Sequence, residues 1–245
     1  MQAIWTEDIR IKVYETDFNG KLKISSIFNY FQEAAHNHAT DLNVGFHKLK
    51  ENDLFWVLSR IKVIIERLPD WGEGLKVLTW PKGIDKLFAL RDFQFIDKNN
   101  IPVISGTSCW LLIDRTKPKL HKIEELGIYV PEKNKSKHAI AEVPDKIKII
   151  EGIPDVFKHK VTVNDLDLLH HVNNSHYVDW IIDCFDPGNI KSKTIKSLQV
   201  NYTGESKFGD EVEIKIRTRE NIQYIEGTKA DENSIVFQAV MTWDK

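Results

Sequence analysis

The sequence predicts an α+β chain in which one plan is used twice: a strand, a turn, an amphipathic helix and then a run of antiparallel strands. Three observations predict it. The chain repeats itself, each repeat carries one stripe of helical period, and strand-like segments separated by polar turns follow each stripe. Lys12-Val-Tyr-Glu-Thr-Asp17 lies over Lys160-Val-Thr-Val-Asn-Asp165 without a gap, 148 residues on. Arg60-Ile-Lys-Val and Trp71-Gly-Glu-Gly-Leu-Lys-Val lie over Ser197-Leu-Gln-Val and Phe208-Gly-Asp-Glu-Val-Glu-Ile, 137 residues on. The two matches come in the same order, which points to duplication.

Each element follows from its pattern. In the first copy Ile24, Ile27, Phe28, Phe31, Ala34, Ala35, His38 and Leu42 recur at the 3, 4 and 7 spacing of a helix, with Ser25 or Ser26 to cap it. In the second, Tyr177, Ile181, Cys184 and Phe185 make a shorter stripe, capped by Asn173 or Asn174 and stopped at Asp186-Pro-Gly. Strands are expected at 56–65, 74–80, 88–97 and 101–114, then at 196–202, 210–220, 222–230 and 234–243. Asp97-Lys-Asn-Asn100 and Asp231-Glu-Asn are hairpin turns between them. The polar, Lys-rich stretch from Thr116 to Pro154, with Pro118, Pro131 and Pro144 and a helical piece at Ile123–Leu126, reads as a connector. This sets one domain at 1–130, a linker at 131–154 and a second domain at 155–245. The economical packing wraps each sheet around its own helix and joins the two sheets edge to edge as a pseudo-dimer, which hides edge strands.

Composition narrows the function. The 245 residues are 42% hydrophobic and 29% charged, enough apolar material for a core. The net charge of −2 argues against a nucleic-acid coat or a membrane-surface binder. Two cysteines, Cys109 and Cys184, exclude a disulfide scaffold and any four-cysteine metal site. No run approaches the ~18 apolar residues of a membrane span, and the first residues carry no apolar leader core, so a cytoplasmic protein is expected.

The densest polar stretch is Asn164-Asp-Leu-Asp-Leu-Leu-His-His-Val-Asn-Asn174, between a strand and a helix N-terminus. Backbone N–H groups there lack helical partners, and the helix dipole favours negative charge. Asp167 and His171 are close enough in sequence to share a pocket, where a carboxylate orients an imidazole or activates water. By themselves these residues also fit a capped turn with a surface histidine pair.

The stretch Asp165-Leu-Asp-Leu-Leu-His-His-Val-Asn-Asn-Ser-His-Tyr-Val-Asp-Trp180 resembles the Asp-x-Asp-x-Asn-x-His-Val-Asn-Asn-x-x-Tyr-x-x-Trp signature of the acyl-ACP thioesterases of plants and bacteria. The likeness extends to Tyr14-Glu-Thr-Asp-Phe-Asn-Gly20, Phe31-Gln-Glu-Ala-Ala-His-Asn-His38, Gly106-Thr-Ser-Cys-Trp-Leu-Leu-Ile-Asp114, Leu198-Gln-Val-Asn-Tyr-Thr-Gly-Glu-Ser206 and Gly209-Asp-Glu-Val212. The resemblance implies a tandem, or double, hot-dog fold: two helices, each wrapped by an antiparallel sheet. It also implies hydrolysis of fatty acyl-ACP to free fatty acid and ACP, as in fatty acid biosynthesis. Asp167, His171 and Glu205 match the family's catalytic aspartate, histidine and glutamate. Leu169 stands where the family usually has a catalytic asparagine, and Ser206 where many plant members have cysteine. Asn173 or His170 is then the neighbour that could take over the lost amide's role.

The mechanism expected is attack by water activated by Glu205 or Asp167 with His171, with the backbone amides of Val172 and Asn173 holding the oxyanion. Ser206 is accessory at most. No metal or organic cofactor is required, and His36 and His38 read as structural. The first copy sets Asn19 against Asp167 and Lys23 against His171, so it lacks the acid/base pair. By resemblance its Phe28, Phe31, Trp56 and Leu58 line the acyl chain. The partner expected is an acyl carrier protein with a phosphopantetheine-linked chain; no nucleic acid or membrane partner is expected, and a homodimer is left open. A hot-dog acyl-CoA thioesterase and a non-catalytic acyl-binding module are the rival readings, the second kept alive by Leu169.

Overall fold

The computed structural model describes residues 1–116, 119–126 and 130–244 and divides into two compact units, Met1–Pro144 and Asp145–Lys245. The first unit runs β1 (Trp5–Arg10), α1 (Ile24–Asp41), α2 (Phe46–Lys50), β2 (Leu54–Ile65), β3 (Gly74–Asp85), β4 (Phe88–Ile96), β5 (Pro102–Asp114), β6 (Lys119–Leu120) and α3 (Glu132–Lys135). Its antiparallel strands lie in the order β1-β3-β4-β5-β2, with the short β6 on β5. The second unit runs β7 (Asp155–Lys160), α4 (Asn174–Asp183), α5 (Pro187–Ser192), β8 (Ile195–Tyr202), β9 (Glu211–Arg219), β10 (Ile222–Lys229) and β11 (Ile235–Trp243), in the order β8-β11-β10-β9-β7. A single-turn 3₁₀ helix precedes each main helix, at Val13–Glu15 and Val163–Asp165. Each strand read from alternation is present to within a few residues. The short α2, α3, α5 and β6 carry too little periodicity to be read from the sequence.

The apolar stripe buries each helix against its own sheet. From α1, Ile27, Phe28, Phe31 and Ala34 are buried, and Phe31 stacks on Phe93 with ring centroids 4.4 Å apart. Gly106 on β5 makes that possible, since any Cβ there would collide with the Phe31 ring. From α4, Tyr177, Val178, Trp180 and Ile181 are buried, with Tyr177 5.2 Å from Phe237. A fully buried side chain of this size contributes about 1.5–3 kcal/mol. The helices differ in length: α1 has 18 residues and α4 only 10, because Asp186-Pro187 ends the run and caps the short α5 instead.

His38, in the last turn of α1, is wholly buried. Burial, then the Arg91 charge, lowers its pKa to about 4. Its Nε2 lies 2.8 Å from Gln2 O, and its Nδ1 lies 3.0 Å from Arg91 Nη1, so the neutral ring donates to the first and accepts from the second. It is a structural histidine. Phe28, Phe31 and Leu58 are core residues, and the half-buried Trp56 donates its indole N–H to Val44 O.

The stretch read as a linker is docked along its length. Asn134 Nδ2 donates to Ala3 O, Trp80 Nε1 to Lys137 O, Ala139 N to Asp92 Oδ2 and Arg60 Nη1 to Pro144 O. Lys82 donates to Ile140 O and lies 3.0 Å from Asp92, both side chains buried. Beyond the division, Asp145 O accepts from Gln199 and Asn201, and Gly152 O from Arg217. Polar composition marked it as connector, but its main-chain groups serve as partners for buried side chains. Pro118 lies outside the described residues.

Candidate active site

The site is built on the turn between β7 and α4. Thr162 N and its hydroxyl donate to Asp165 Oδ2, closing the 3₁₀ turn, while Trp180 Nε1 donates to Asp165 Oδ1 and His159 Nε2 lies 3.4 Å from Oδ2. Burial would raise the Asp165 carboxyl; the bonds from Thr162, His159 and Trp180 outweigh it and hold it below the usual carboxylate range. Sequence reading gave Asp165 no role. It fastens the turn to the helix behind it.

Asp167 comes next. Its Oδ1 accepts the amides of Leu169 (2.7 Å) and His171 (3.2 Å), its own N–H donates to His171 O, and His170 N donates back to Asp167 O. The carboxylate therefore shapes the loop that carries His171. Asp167 Oδ2 has no protein partner among the described residues. His171 Nε2 then meets Glu205 Oε2 at 3.2 Å, with Glu205 on the segment between β8 and β9. The three residues proposed as catalytic are thus brought to one turn: Asp167 through the backbone of His171, and Glu205 through its ring.

Two expectations are corrected. The amide of Val172 donates to Ser206 O (2.9 Å) and that of Asn173 to Asp165 O (2.8 Å), so neither is free to hold an oxyanion. Both are consumed in fastening the turn to its neighbours. Asn173 is the cap of α4, its Oδ1 accepting from Ser175 N and Oγ, which leaves its side-chain NH₂ as the uncommitted donor. The other correction concerns the repeat. The 3₁₀ turns start at Val13 and Val163, and the helices at Ile24 and Asn174. Asp17 therefore stands opposite Asp167, Asn19 opposite Leu169 and Lys21 opposite His171, not Asn19 opposite Asp167 and Lys23 opposite His171. The second offset, 137, holds: Leu22 N bonds Pro69 O as Val172 N bonds Ser206 O.

Around this centre, Leu169 is half-buried and Ser206 wholly buried. The Ser206 amide donates to the Tyr177 hydroxyl, and its own Oγ, beside the same hydroxyl, makes no well-formed hydrogen bond among the described residues. Burial pushes the Tyr177 phenol up to about 12 against the pull of Ser206. His176 pairs with Asp179 at 3.3 Å, which raises its pKa. His170 is exposed and takes a left-handed φ of 62°. Burial raises both thiols, Cys109 to about 11 and Cys184 to about 12, so both are protonated near neutral pH. Among the described residues no three His, Cys, Asp or Glu side chains gather as metal ligands.

Residues 2–128 match the acyl-ACP thioesterase N-terminal domain, and residues 154–245 the acyl-ACP thioesterase C-terminal domain. An acyl-[acyl-carrier-protein] hydrolase of Cuphea viscosissima is 28% identical over 214 residues, covering 82% of this chain and 52% of that protein. The palmitoyl-acyl carrier protein thioesterase of Arabidopsis thaliana is 28% identical over the same shares. The chain spans about half the length of the curated relatives it matches. The crystal structure of an acyl-ACP thioesterase from Bacteroides thetaiotaomicron superposes with a TM-score of 0.87 at 26% identity, covering 99% of this chain and 98% of that one. With both domains matched in order, the chain belongs to the acyl-ACP thioesterase family, and its two units are hot-dog domains.

Proposed function

We propose that the chain hydrolyses the thioester of a fatty acyl group carried on acyl carrier protein, releasing free fatty acid and the carrier's phosphopantetheine thiol. The observation that carries this reading is the 3.2 Å contact between His171 Nε2 and Glu205 Oε2 beside the Asp167-shaped turn. Water held by this pair loses a proton to it and attacks the thioester carbonyl. The tetrahedral oxyanion is met by the His171 ring and the Asn173 side-chain amide, the donors left once Val172 and Asn173 N–H are committed. Collapse expels the thiolate, which takes up a proton from His171. Ser206 is no nucleophile in this scheme, because its hydroxyl has no base beside it.

The reading keeps the second unit as the catalytic domain and the first as the holder of the acyl chain. It also keeps the carrier as partner, the cytoplasm as compartment and fatty acid biosynthesis as context. No described helix is long and apolar enough to cross a membrane. The test is a panel of acyl-ACPs of graded length and saturation, with free acids identified by mass. Release of free acid by the wild type and not by His171→Ala is expected. Tight binding of acyl-ACP without release would instead make the chain a binding module. Faster turnover of acyl-CoA than of acyl-ACP of equal length would transfer the activity to the CoA esters.

A further inference from the structure

The second unit has a cavity of about 280 Å³ where its helix runs out. Helix α4 is eight residues shorter than α1, about 12 Å of missing helix at 1.5 Å per residue. Phe157, Phe185, Ile216 and Trp243 form apolar walls, and the Cys184 thiol, donating to Trp180 O, closes the helix end. In the first unit the same place is filled. There Arg91 pairs with Pro81 across β3 and β4, and its guanidinium bonds Thr79 and His38 from the last turn of α1. By register Gln223 is its counterpart: it pairs with Thr218, as Arg91 does with Pro81, and Ile225 pairs with Ile216 as Phe93 does with Thr79. Cys184 at the end of α4 and Asn189 of α5 line the same cavity, but neither hydrogen-bonds the Gln223 Oε1. Gln223 is 7% exposed, it lines the cavity, and its Oε1 has no hydrogen-bond partner among the described residues. A buried amide left unpaired costs about 1–3 kcal/mol, which a hydrogen-bonding ligand group in the cavity would recover.

We propose that this cavity is a second ligand site, distinct from the Asp167–His171–Glu205 turn, and that it takes a small neutral amphiphile: a short hydrocarbon body carrying an amide. The volume admits about nine non-hydrogen atoms at roughly 30 Å³ each. A ligand amide satisfies both ends of the Gln223 side chain at once, N–H to Oε1 and C=O to the NH₂ group. A carboxylate fits worse. Of the charged residues lining the cavity, two are acidic, Asp155 and Asp186, and Lys193 alone is basic, and all three are exposed. A charge held at Gln223 would therefore be buried unpaired.

Hexanamide and hexanoate are a size-matched pair of probes. In NMR titrations of the full chain, hexanamide should shift the Gln223 side-chain amide and the Trp243 indole with a Kd of about 0.1–1 mM, as ligand efficiency allows for so small a molecule. Hexanoate should bind at least tenfold more weakly. Gln223→Leu should weaken hexanamide at least tenfold. Cys184→Phe, which fills the cavity, should abolish its shifts; thioester hydrolysis by both variants should stay unchanged. The site is refuted if hexanamide shifts only first-unit residues, binds Gln223→Leu as well as wild type, binds no better than hexanoate or does not bind by about 20 mM.

Discussion

In the first unit Asp17 Oδ1 accepts the amides of Asn19 and Lys21, Asp17 N donates to Lys21 O, and Gly20 N donates to Asp17 O. In the second, Asp167 Oδ1, Leu169, His171 and His170 make the same four bonds in the same order. The bridges Thr16↔Leu22 and Leu166↔Val172 close both turns. What differs is the set of side chains the scaffold presents. Lys21 reaches Asp70 in an exposed ion pair at 2.7 Å, where His171 reaches Glu205 at 3.2 Å. A lysine ammonium can only donate, whereas an imidazole can present both a donor and an acceptor nitrogen. One backbone thus serves as a tie in one unit and as a candidate acid/base centre in the other. An Asp-capped turn before a helix is therefore not by itself a sign of catalysis.

The two turns should differ most in kinetics. Asp167→Asn, His171→Ala and Glu205→Gln should each lower kcat on acyl-ACP by about 10² or more with the fold intact by circular dichroism. Asp17→Asn and Lys21→Ala should leave kcat nearly untouched, and loss of the exposed Lys21–Asp70 pair should cost under about 1 kcal/mol of stability. Equal kinetic losses from both sets would mean that the chemistry does not reside in the second unit.

The repeat, the strands and the Asp167–His171 stretch were legible because alternation, helical period and Asx-rich turns are local signals. The offset of the first block is ambiguous in sequence because Asp165 and Asp167 lie two residues apart, so Asp17 can be laid on either. Only bonding distinguishes them: Asp165 closes a 3₁₀ turn, as Glu15 does through Lys12 N, while Asp167 shapes the next one. The fate of the Val172 and Asn173 amides was not legible either. A helix start announces free N–H groups, but their partners here, Asp165 O and Ser206 O, are set by tertiary packing. Glu205 reaches His171 across such a long-range contact, and only the family likeness pointed to it.

Leu169 is the next point at which the two turns differ. Asn19, its counterpart, sets its Nδ2 3.5 Å from Asp17 Oδ2, so the first turn has the amide without the histidine and the second the histidine without the amide. Leu169→Asn restores a donor beside the free Asp167 Oδ2. One N–H of that amide aimed at the developing oxyanion is worth at most about 2–4 kcal/mol, so kcat should rise, by about tenfold if half of it is realised. An unchanged kcat in steady-state assay would show that His171 and Asn173 already supply what the amide would.

Gly20 and His170 differ in backbone cost. Both are left-handed, with φ of 73° and 62°, but only glycine adopts this freely. His170→Gly should raise stability by up to about 1 kcal/mol, read as a higher urea midpoint with unchanged slope. If kcat falls at the same time, the exposed His170 ring takes part in the reaction, and the strain is kept for that purpose.

Ser206→Ala should have the smallest effect. The first unit has Pro69 at this place, and there too the backbone carbonyl, not the side chain, accepts the helix-start amide. The Ser206 main chain ties the turn to Tyr177 and Val172, and alanine keeps both bonds. The hydroxyl is buried without a well-formed hydrogen bond among the described residues, so its removal deletes an unsatisfied group instead of a bond. Stability should therefore stay within about 0.5 kcal/mol of wild type, or rise slightly, and kcat should barely move. A near-complete loss of turnover, with an acyl group trapped on wild-type Ser206 in quenched samples, would make the serine a nucleophile. The water mechanism built on His171 and Glu205 would then have to be abandoned.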